Sequence, residues 1–194
     1  MSNQAQGSEE VLELADLAAE CARELAGDID TMTSMVLETL ASGGALLFCG
    51  NGGSAADAQH LAAEYVVRFR RERGPLRAMA LTTDTSILTA GGNDFGFEEV
   101  FARQVRALGR SGDLLFVHST SGDSENLVRA VRAVGSIGVR TIALLAKGGG
   151  RLKDLGDLPV IVPTDSTAHA QELHLAVGHA VCDRVDQAHA GGTP

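Results

Sequence analysis

Residues 45–64 read ALLFCGNGGSAADAQHLAAE, and their pattern indicates the fold class more clearly than any other segment. It begins with an apolar run of strand length, passes through a glycine-rich turn, and continues with helical spacing from about Ala55 to Arg68. The same order of apolar run, turn and helical segment recurs along the chain. Because parallel strands joined by helices bury both faces of their sheet, this alternation predicts an α/β sandwich around a parallel sheet. The predicted strands span 45–49, 78–81, 114–118, 141–145 and 158–162.

The predicted helices flank these strands. Two of them precede the first strand, at about 8–25 and 30–41, and Gly43 and Gly44 mark the end of the second. The first helix spreads its apolar residues over more than one narrow stripe, so we expect it to bury more than one side, with a partner subunit as the natural cover. The other predicted helices span 55–68, 97–108, 124–136, 151–155 and 167–188.

The length of 194 residues falls within the size of one domain, and we expect a single domain. We divide it into N-terminal helices at about 1–44, an α/β core at 45–189 and a loose tail at 190–194.

The net charge is −9, from 16 Lys and Arg against 25 Asp and Glu. This charge opposes general binding to nucleic acid or to an anionic membrane, because both need a positive field; an anionic substrate would need a local exception. The first ten residues are polar and no apolar run approaches the ~20 residues that span a bilayer, so a cytoplasmic protein is expected. The widely spaced cysteines Cys21, Cys49 and Cys182 predict reduced, packed thiols.

Two loops follow predicted strands, at the edge where open parallel sheets bind ligands. Gly50 to Ser54 contains glycines that let backbone N–H groups approach a ligand. Ser119 to Ser124 packs four hydroxyl groups around Gly122 and opens a helix, an arrangement suited to phosphate. Both loops could instead be ordinary capping turns, since Ser, Thr and Gly are common there. Asp123 would repel a phosphate, and we expect it to turn outward as the helix cap.

Candidate acid and base groups lie on two predicted helices. His60 and Glu64 are four residues apart and share one face of the helix after the first loop. Gln171 and His179 share a broad side of the last helix. Glu64 as base and His179 as acid would suit a reaction that removes a proton beside a carbonyl, since both groups can be tuned to work near neutral pH. Taken one at a time, an exposed helix pair and a satisfied core histidine are the simpler explanations.

The same side chains raise the question of a metal. His60, Glu64, Gln171 and His179 offer nitrogen and oxygen ligands that zinc accepts, although catalytic zinc sites rarely use Gln. The nearby basic stretch 68–77 fits a solvated surface with subunit contacts better than a binding tract, and Arg68, nearest the loop, is the candidate for attracting phosphate.

Together these motifs resemble the phosphoheptose isomerases, also called sedoheptulose 7-phosphate isomerases, of the sugar isomerase (SIS) domain family. The match covers nearly the whole chain, and its extent makes it far more specific than either loop alone. The residues that carry the resemblance are 49–60, Glu64, 82–86, 92–97, 119–122, Ser124, Gln171, Glu172, His174 and His179.

The resemblance implies a SIS-type, flavodoxin-like three-layer sandwich whose N-terminal helices serve oligomerisation. It also implies a homotetramer, with sites shared between subunits, that interconverts D-sedoheptulose 7-phosphate and D-glycero-D-manno-heptose 7-phosphate for nucleotide-activated heptose biosynthesis, without an organic cofactor.

In that family the matches to Glu64 and His179 move protons through an enediol. Several members carry zinc at the positions matching His60, Glu64, Gln171 and His179. The matches that hold the substrate are Asn51, Gly52, Gly53, Ser54, Glu64, Asn93, Asp94, Ser119, Thr120, Ser121, Ser124 and Gln171.

Two departures distinguish this chain, and two rival functions follow from the family. Asp123 stands where the family usually has Asn, and His169-Ala170 where it has Arg-Ile; both bear on substrate preference rather than on reaction type. One rival is a non-catalytic SIS tetramer that binds a replication-initiation protein, and the other is an isomerase of another sugar phosphate. The complete set of Glu64, Gln171 and His179 argues against the first rival, because a binding module has no need for it.

Overall fold

The computed structural model describes residues 3–191, with side chains from residue 8 onward. Its five strands form one parallel sheet in the order β2-β1-β3-β4-β5, which is the order of a flavodoxin-like sheet. The predicted α/β sandwich is therefore confirmed, and each strand lies within one residue of its predicted bounds. The strands are β1 Leu46–Gly50, β2 Ala78–Ala80, β3 Leu114–Ser119, β4 Arg140–Leu145 and β5 Leu158–Ile161.

Helices cover both faces of this sheet. In the described part of the chain they are α1 Asn3–Glu24, α2 Ala26–Ala41, α3 Gly53–Val66, α4 Thr85–Phe95, α5 Val100–Leu108, α6 Glu125–Val134 and α7 Thr167–His189.

Alternating strand side chains separate two hydrophobic clusters. Leu46 and Phe48 of β1 point into a cluster that includes residues of α2, α3 and α7. Leu47 and Cys49 point to the opposite face, into a cluster with residues of α5 and α6. The helices that carry His60, Glu64 and His179 thus pack on the same face of the sheet.

Helix α4 is present where the sequence predicted none. The consecutive glycines Gly91 and Gly92 weaken its helical pattern, because glycine is unfavourable inside a helix. The helix nevertheless has a strong start, since the Asp84 carboxylate accepts a hydrogen bond from the Ile87 N–H at 2.9 Å.

The helix predicted at 151–155 is wrong in type. The structure has a 3-10 segment at Lys147–Asp154, interrupted by Gly148–Gly150, all at positive φ. Three consecutive glycines in the left-handed region cannot continue a right-handed helix, so the chain makes short turns there.

The basic stretch 68–77 is only partly the solvated surface that was predicted. The side chain of Arg73 is 1% exposed, and its Nε lies 2.7 Å from a carboxylate oxygen of Asp186 on α7. The other oxygen of Asp186 accepts hydrogen bonds from the backbone N–H groups of Arg70 and Arg71. This buried carboxylate therefore fastens the segment after α3 to α7.

Two predictions about the ends of the chain stay predictions. Val11 and Leu12 on α1 are 65% and 64% exposed, so the cover expected from a partner subunit remains a prediction. Of the loose tail predicted at 190–194, residues 192–194 lie outside the described part of the chain.

The predicted state of the cysteines is confirmed, because Cys21, Cys49 and Cys182 are all buried and free of disulfides. Among residues 3–191, no helix combines the length and the apolar character needed to cross a bilayer.

Candidate active site

The two predicted loops and the start of α7 enclose one pocket of about 280 Å³. β1 and β3 are neighbours in the sheet, so the loops after them open side by side at its carboxyl edge. The volume suits a small metabolite, since pockets for drug-sized ligands begin at roughly 300 Å³. The pocket is lined by Asn51, Gly52, Gly53, Ser54, His118, Ser119, Thr120, Ser121, Ser124, Leu127, Thr167 and Gln171.

Three helices begin at this pocket and make it positive within an acidic chain. α3 begins at Gly53, α6 follows its N-cap residue Ser124, and α7 begins at Thr167. Helix N-termini carry partial positive charge and unpaired backbone N–H groups, and both favour an anion. The pocket is therefore the local exception that an anionic substrate needs in a chain of net charge −9.

Hydroxyl groups of the second loop keep their protons available for a ligand. The Ser119 Oγ accepts a hydrogen bond from the Gly122 N–H at 3.1 Å, and the Ser121 Oγ accepts one from the Asp123 N–H at 3.2 Å. Ser124 makes no capping bond with its side chain. Because a hydroxyl that accepts a bond can still donate its own proton, these groups can bind phosphate oxygens.

Two glycines of the first loop are required by the local geometry. Gly52 has a φ of +55°, a left-handed conformation that favours glycine at the turn into α3. At Gly53, a Cβ atom would lie 2.5 Å from Nε2 of Gln171 on α7. The absence of a side chain at Gly53 thus lets the Gln171 amide close over the loop and line the pocket.

A reciprocal amide pair joins the two sides of the pocket. Asn51 donates a hydrogen bond from Nδ2 to Oδ1 of Asn126 at 2.9 Å, and Asn126 returns one to Oδ1 of Asn51 at 2.8 Å. Sequence reasoning missed Asn126, because an Asn in the first turn of a helix carries no distinctive signal. The pair fixes the first loop against α6.

Asp123 turns outward as predicted, although it does not cap α6. Its Oδ1 accepts a hydrogen bond from the backbone N–H of Arg151 at 3.0 Å, and the Arg151 side chain lies against the same carboxylate. The N-cap residue is Ser124 instead. The negative charge of Asp123 is therefore paired outside the pocket, where it does not repel an anion.

The predicted acid and base groups meet where α3 and α7 pack. The Nε2 atoms of His60 and His179 are 2.8 Å apart, and the His60 Nε2 lies 3.5 Å from Oε1 of Glu64. Gly178 permits this close approach, since a Cβ there would clash with Leu61 on α3 at 2.7 Å. Glu64 and His179 thus come together within one chain, with their side-chain N and O atoms no more than 4.8 Å apart.

The environment keeps the His179 ring neutral near pH 7. Burial lowers its pKa, and electrostatic interactions with His60 and Arg70 act in the same direction, while Glu64 raises it. The ring also stacks on Phe69, with centroids 5.0 Å apart and an interplanar angle of 17°. A neutral imidazole has one N–H and one lone pair, so it can both donate and accept a proton.

The same cluster fits a metal ion. The ligating atoms of His60, Glu64 and His179 all lie within 4.8 Å of one another. Two Nε2 atoms at 2.8 Å must share one proton, or both must turn lone pairs toward a cation. Gln171, the fourth predicted ligand, lies two turns earlier on α7 with its amide against Gly53. Nitrogen and oxygen donors of this kind suit zinc.

Asn93 and Asp94 do not line the pocket of their own chain. Both are exposed on α4, where the Asn93 Nδ2 donates a hydrogen bond to Oδ1 of Asp94 at 2.8 Å. Arg68 also lies outside the pocket lining, because α3 ends at Val66 and Arg68 follows it as an exposed residue.

Sequence reasoning also missed His118, which lines the pocket from β3 and is fully buried. Neither of its ring nitrogens has a hydrogen-bond partner among residues 3–191. Burial lowers its pKa to about 3, with His174 on α7 acting in the same direction. The available signal was a histidine at the end of the otherwise apolar run LLFVHS.

The chain resembles known proteins through most of its length. Residues 11–146 match the model of the SIS domain family. A phosphoheptose isomerase of Akkermansia muciniphila is 51% identical over 168 residues, which cover 87% of this chain and 89% of that protein. The phosphoheptose isomerase structure from Neisseria gonorrhoeae has a TM-score of 0.90 and 42% identity, covering 95% of this chain and 98% of that one. The phosphoheptose isomerase structure from Francisella tularensis has a TM-score of 0.93 and 37% identity, covering 96% and 100%.

Proposed function

This chain belongs to the SIS domain family, and we propose that it is an isomerase that converts D-sedoheptulose 7-phosphate to D-glycero-D-manno-heptose 7-phosphate. The observation that carries the proposal is the meeting of His60, Glu64 and His179 on the helices that begin at an anion-binding pocket. A carboxylate and an imidazole are the groups that proton transfer beside a carbonyl needs. The product would enter nucleotide-activated heptose biosynthesis.

In the proposed reaction, the loop pocket holds the phosphate and the open-chain sugar extends along α3 toward the cluster. Glu64 removes a proton from C1 of the ketose, while His179 donates a proton to the oxygen on C2, which gives an enediol. His179 then takes the proton of the C1 hydroxyl, and C2 receives the proton carried by Glu64. The protons therefore balance, and each group returns to its starting state.

We propose zinc as the metal at this site. When it is bound by His60, Glu64, Gln171 and His179, zinc supplies Lewis-acid polarisation of the substrate carbonyl. The convergence of two imidazoles and a carboxylate supports this assignment. Elemental analysis of the freshly purified protein, before and after treatment with a chelator, tests it; near-stoichiometric zinc is expected in the untreated sample.

We further propose a cytoplasmic homotetramer with sites shared between subunits. The position of Asn93 and Asp94 supports shared sites, because the resemblance gives both residues a part in substrate binding while both are exposed on α4 and neither lines the pocket of its own chain. Exposed apolar residues such as Val11, Leu12 and Phe97 offer surface for subunit contacts. Sedimentation at micromolar concentration should give the mass of four chains.

Product analysis tests the activity and separates it from its rivals. The purified enzyme is incubated with sedoheptulose 7-phosphate and, in parallel, with a six-carbon ketose phosphate and an amino sugar phosphate. Formation of the heptose aldose phosphate alone supports the proposal. Turnover of another substrate in its place would favour the second rival, and a stable tetramer without turnover of any sugar phosphate would favour the binding protein.

A further inference from the structure

Arg73 contacts the backbone of the residue that carries the proposed base. Its Nη2 donates a hydrogen bond to the carbonyl oxygen of Glu64 at 2.7 Å, and its Nη1 donates one to the carbonyl oxygen of Tyr65 at 2.8 Å. α3 ends at Val66, and the last carbonyl groups of a helix have no partner within that helix. Arg73 therefore supplies hydrogen-bond donors to the turn of α3 that holds Glu64.

The same guanidinium reaches the helix that carries the proposed acid. Its Nε lies 2.7 Å from Oδ1 of Asp186, and both side chains are 1% exposed. Asp186 follows His179 by seven residues, which is about two turns, so the two residues share one face of α7. Because a guanidinium is planar and rigid, acceptors that bind its different nitrogens are held in a fixed arrangement. Arg73 thus joins the peptide group of Glu64 to the face of α7 that carries His179.

Stability alone gives a weak reason for this buried ion pair. Removing two charges from water costs free energy, and apolar side chains of similar volume often stabilise a core at least as well. The end of a helix can also be capped by a lysine or a glycine, but neither has a planar fork that binds acceptors on two helices at once. The guanidinium adds a fixed geometry between α3 and α7 where they carry Glu64 and His179.

We propose that Arg73 is a positioning residue that holds the backbone of Glu64 against α7, with Asp186 fixing the Arg73 side chain. The second oxygen of Asp186 accepts hydrogen bonds from the backbone N–H groups of Arg70 and Arg71, at 2.7 and 3.0 Å, so the carboxylate is itself held in place. Misplacing a reacting group by about 1 Å can slow a reaction by about 100-fold. The effect on turnover rests on the proposed function, whereas the hold on the end of α3 does not.

Arg73→Lys tests this role, because it keeps the positive charge beside Asp186 but removes the fork. One ammonium group cannot replace Nε, Nη1 and Nη2 together, so the bond to the Glu64 carbonyl should be lost. We expect kcat with sedoheptulose 7-phosphate to fall by about 10- to 100-fold, with little change in KM. Titration with inorganic phosphate should give the wild-type affinity, because the loops of the pocket are intact.

Amide hydrogen exchange of the full-length protein gives a readout that does not depend on turnover. The Val67 N–H donates to the Ala63 carbonyl at 2.9 Å, and the Leu76 N–H donates to the Tyr65 carbonyl at 3.1 Å. In Arg73→Lys both amides should exchange about 10- to 100-fold faster, the size expected on losing a hydrogen bond to a charged group. The increase is measured relative to the amides of β3, which report opening of the whole domain.

Asp113→Asn is a control for lost stability. Asp113 is a buried aspartate just before β3, and its carboxylate accepts hydrogen bonds from the backbone N–H groups of Ala45 and Arg110. This variant should lower the melting temperature, yet keep the wild-type kcat and the wild-type exchange at the end of α3 relative to β3. A loss of stability is therefore distinguishable from a misplaced base.

Arg140→Lys is a control for the substitution itself. Arg140 begins β4, and its guanidinium donates hydrogen bonds to the Glu38 carboxylate and to the Met35 carbonyl on α2. It joins a carboxylate to a helix carbonyl as Arg73 does, but on a helix that carries neither the proposed acid nor the proposed base. Turnover and exchange at the end of α3 should stay at their wild-type values.

Wild-type exchange at the end of α3 in Arg73→Lys overturns the proposal, and so does faster exchange with an unchanged kcat. An equal loss of turnover in Asp113→Asn has the same consequence. If Arg73→Lys does not fold, Asp186→Asn is judged by the same two measurements, since it keeps the fork and replaces one of its carboxylate acceptors. Failure of the proposed isomerase activity would show separately, as absence of heptose product from the wild-type enzyme, and the exchange rates would still test the hold on α3.

Discussion

Two histidines of α7 each lie beside a second histidine, His179 beside His60 of α3 and His174 beside His118 of β3, and the two pairs differ in their surroundings. His60 and His179 are partly exposed, have Nε2 atoms 2.8 Å apart and lie beside Glu64. His118 and His174 are fully buried with ring centroids 6.3 Å apart, and burial lowers the pKa of both. An imidazole can transfer protons where it has access to solvent and a charged partner, whereas burial without a charged partner keeps it neutral.

The largest expected effect comes from removing the carboxylate of the exposed pair. Glu64→Gln should fold normally and lose turnover by about 10²- to 10⁴-fold, because general base catalysis contributes about that much. Steady-state product formation and the circular dichroism spectrum measure the two properties. Glu38→Gln is the control, since Glu38 pairs with Arg140 on the surface away from the site and should keep wild-type turnover. Near-normal isomerisation by Glu64→Gln would reject Glu64 as the base.

The imidazole of the same pair should have the next largest effect. His179→Gln keeps a polar group but cannot take up a proton near neutral pH, so turnover should fall by about 10²-fold. His189→Gln is a control on the same helix, because the His189 ring bonds to the Val185 carbonyl at the end of α7. Equal turnover in the two variants would show that His179 has no special part in proton transfer.

The buried pair, His118 and His174, should instead affect how the free energy of unfolding changes with pH. In the unfolded chain a histidine binds its proton near pH 6.5, whereas folded His118 does so only near pH 3. Between these values the unfolded state binds more protons, so the free energy of unfolding should fall as the pH falls below 6.5, by up to roughly 1.4 kcal/mol per pH unit for this group. Urea unfolding at pH 7, 6 and 5 measures this slope. His118→Leu should flatten it, and an unchanged slope would contradict the assignment.

The smallest expected effect is on stability at neutral pH. His118→Leu replaces a buried ring, whose two nitrogens have no hydrogen-bond partner in the described part of the chain, by an apolar side chain of similar size. Stability should stay the same or rise by about 1 kcal/mol, because removing an unsatisfied buried polar group is favourable. The melting temperature at pH 7.5 checks this. A loss of several degrees would mean that the His118 nitrogens have partners in solution.

The pocket was more predictable from the sequence than the cluster. Its loops are short contiguous motifs at the ends of apolar strands, and neighbouring parallel strands must open their loops at one edge. Neither Asn126 nor His118 was predicted, because the role of each depends on a residue far away in the sequence. Asn126 bonds to the Asn51 amide, and His118 lies beside His174 on α7. Helix α4 was not predicted, because Gly91 and Gly92 weaken its helical pattern and the N-cap residue Asp84 is its main start signal.

Residue patterns alone predict the parallel α/β sandwich, the two ligand loops and the candidate acid and base, since strand length, glycine placement and helical spacing are local properties. Which of those side chains come into contact depends on the packing of the helices. His60 and His179 are 119 residues apart in the chain, and their contact depends on how closely α3 and α7 approach at Gly178. Tertiary packing likewise buries the Asp57 carboxylate, whose Oδ2 has no hydrogen-bond partner among residues 3–191.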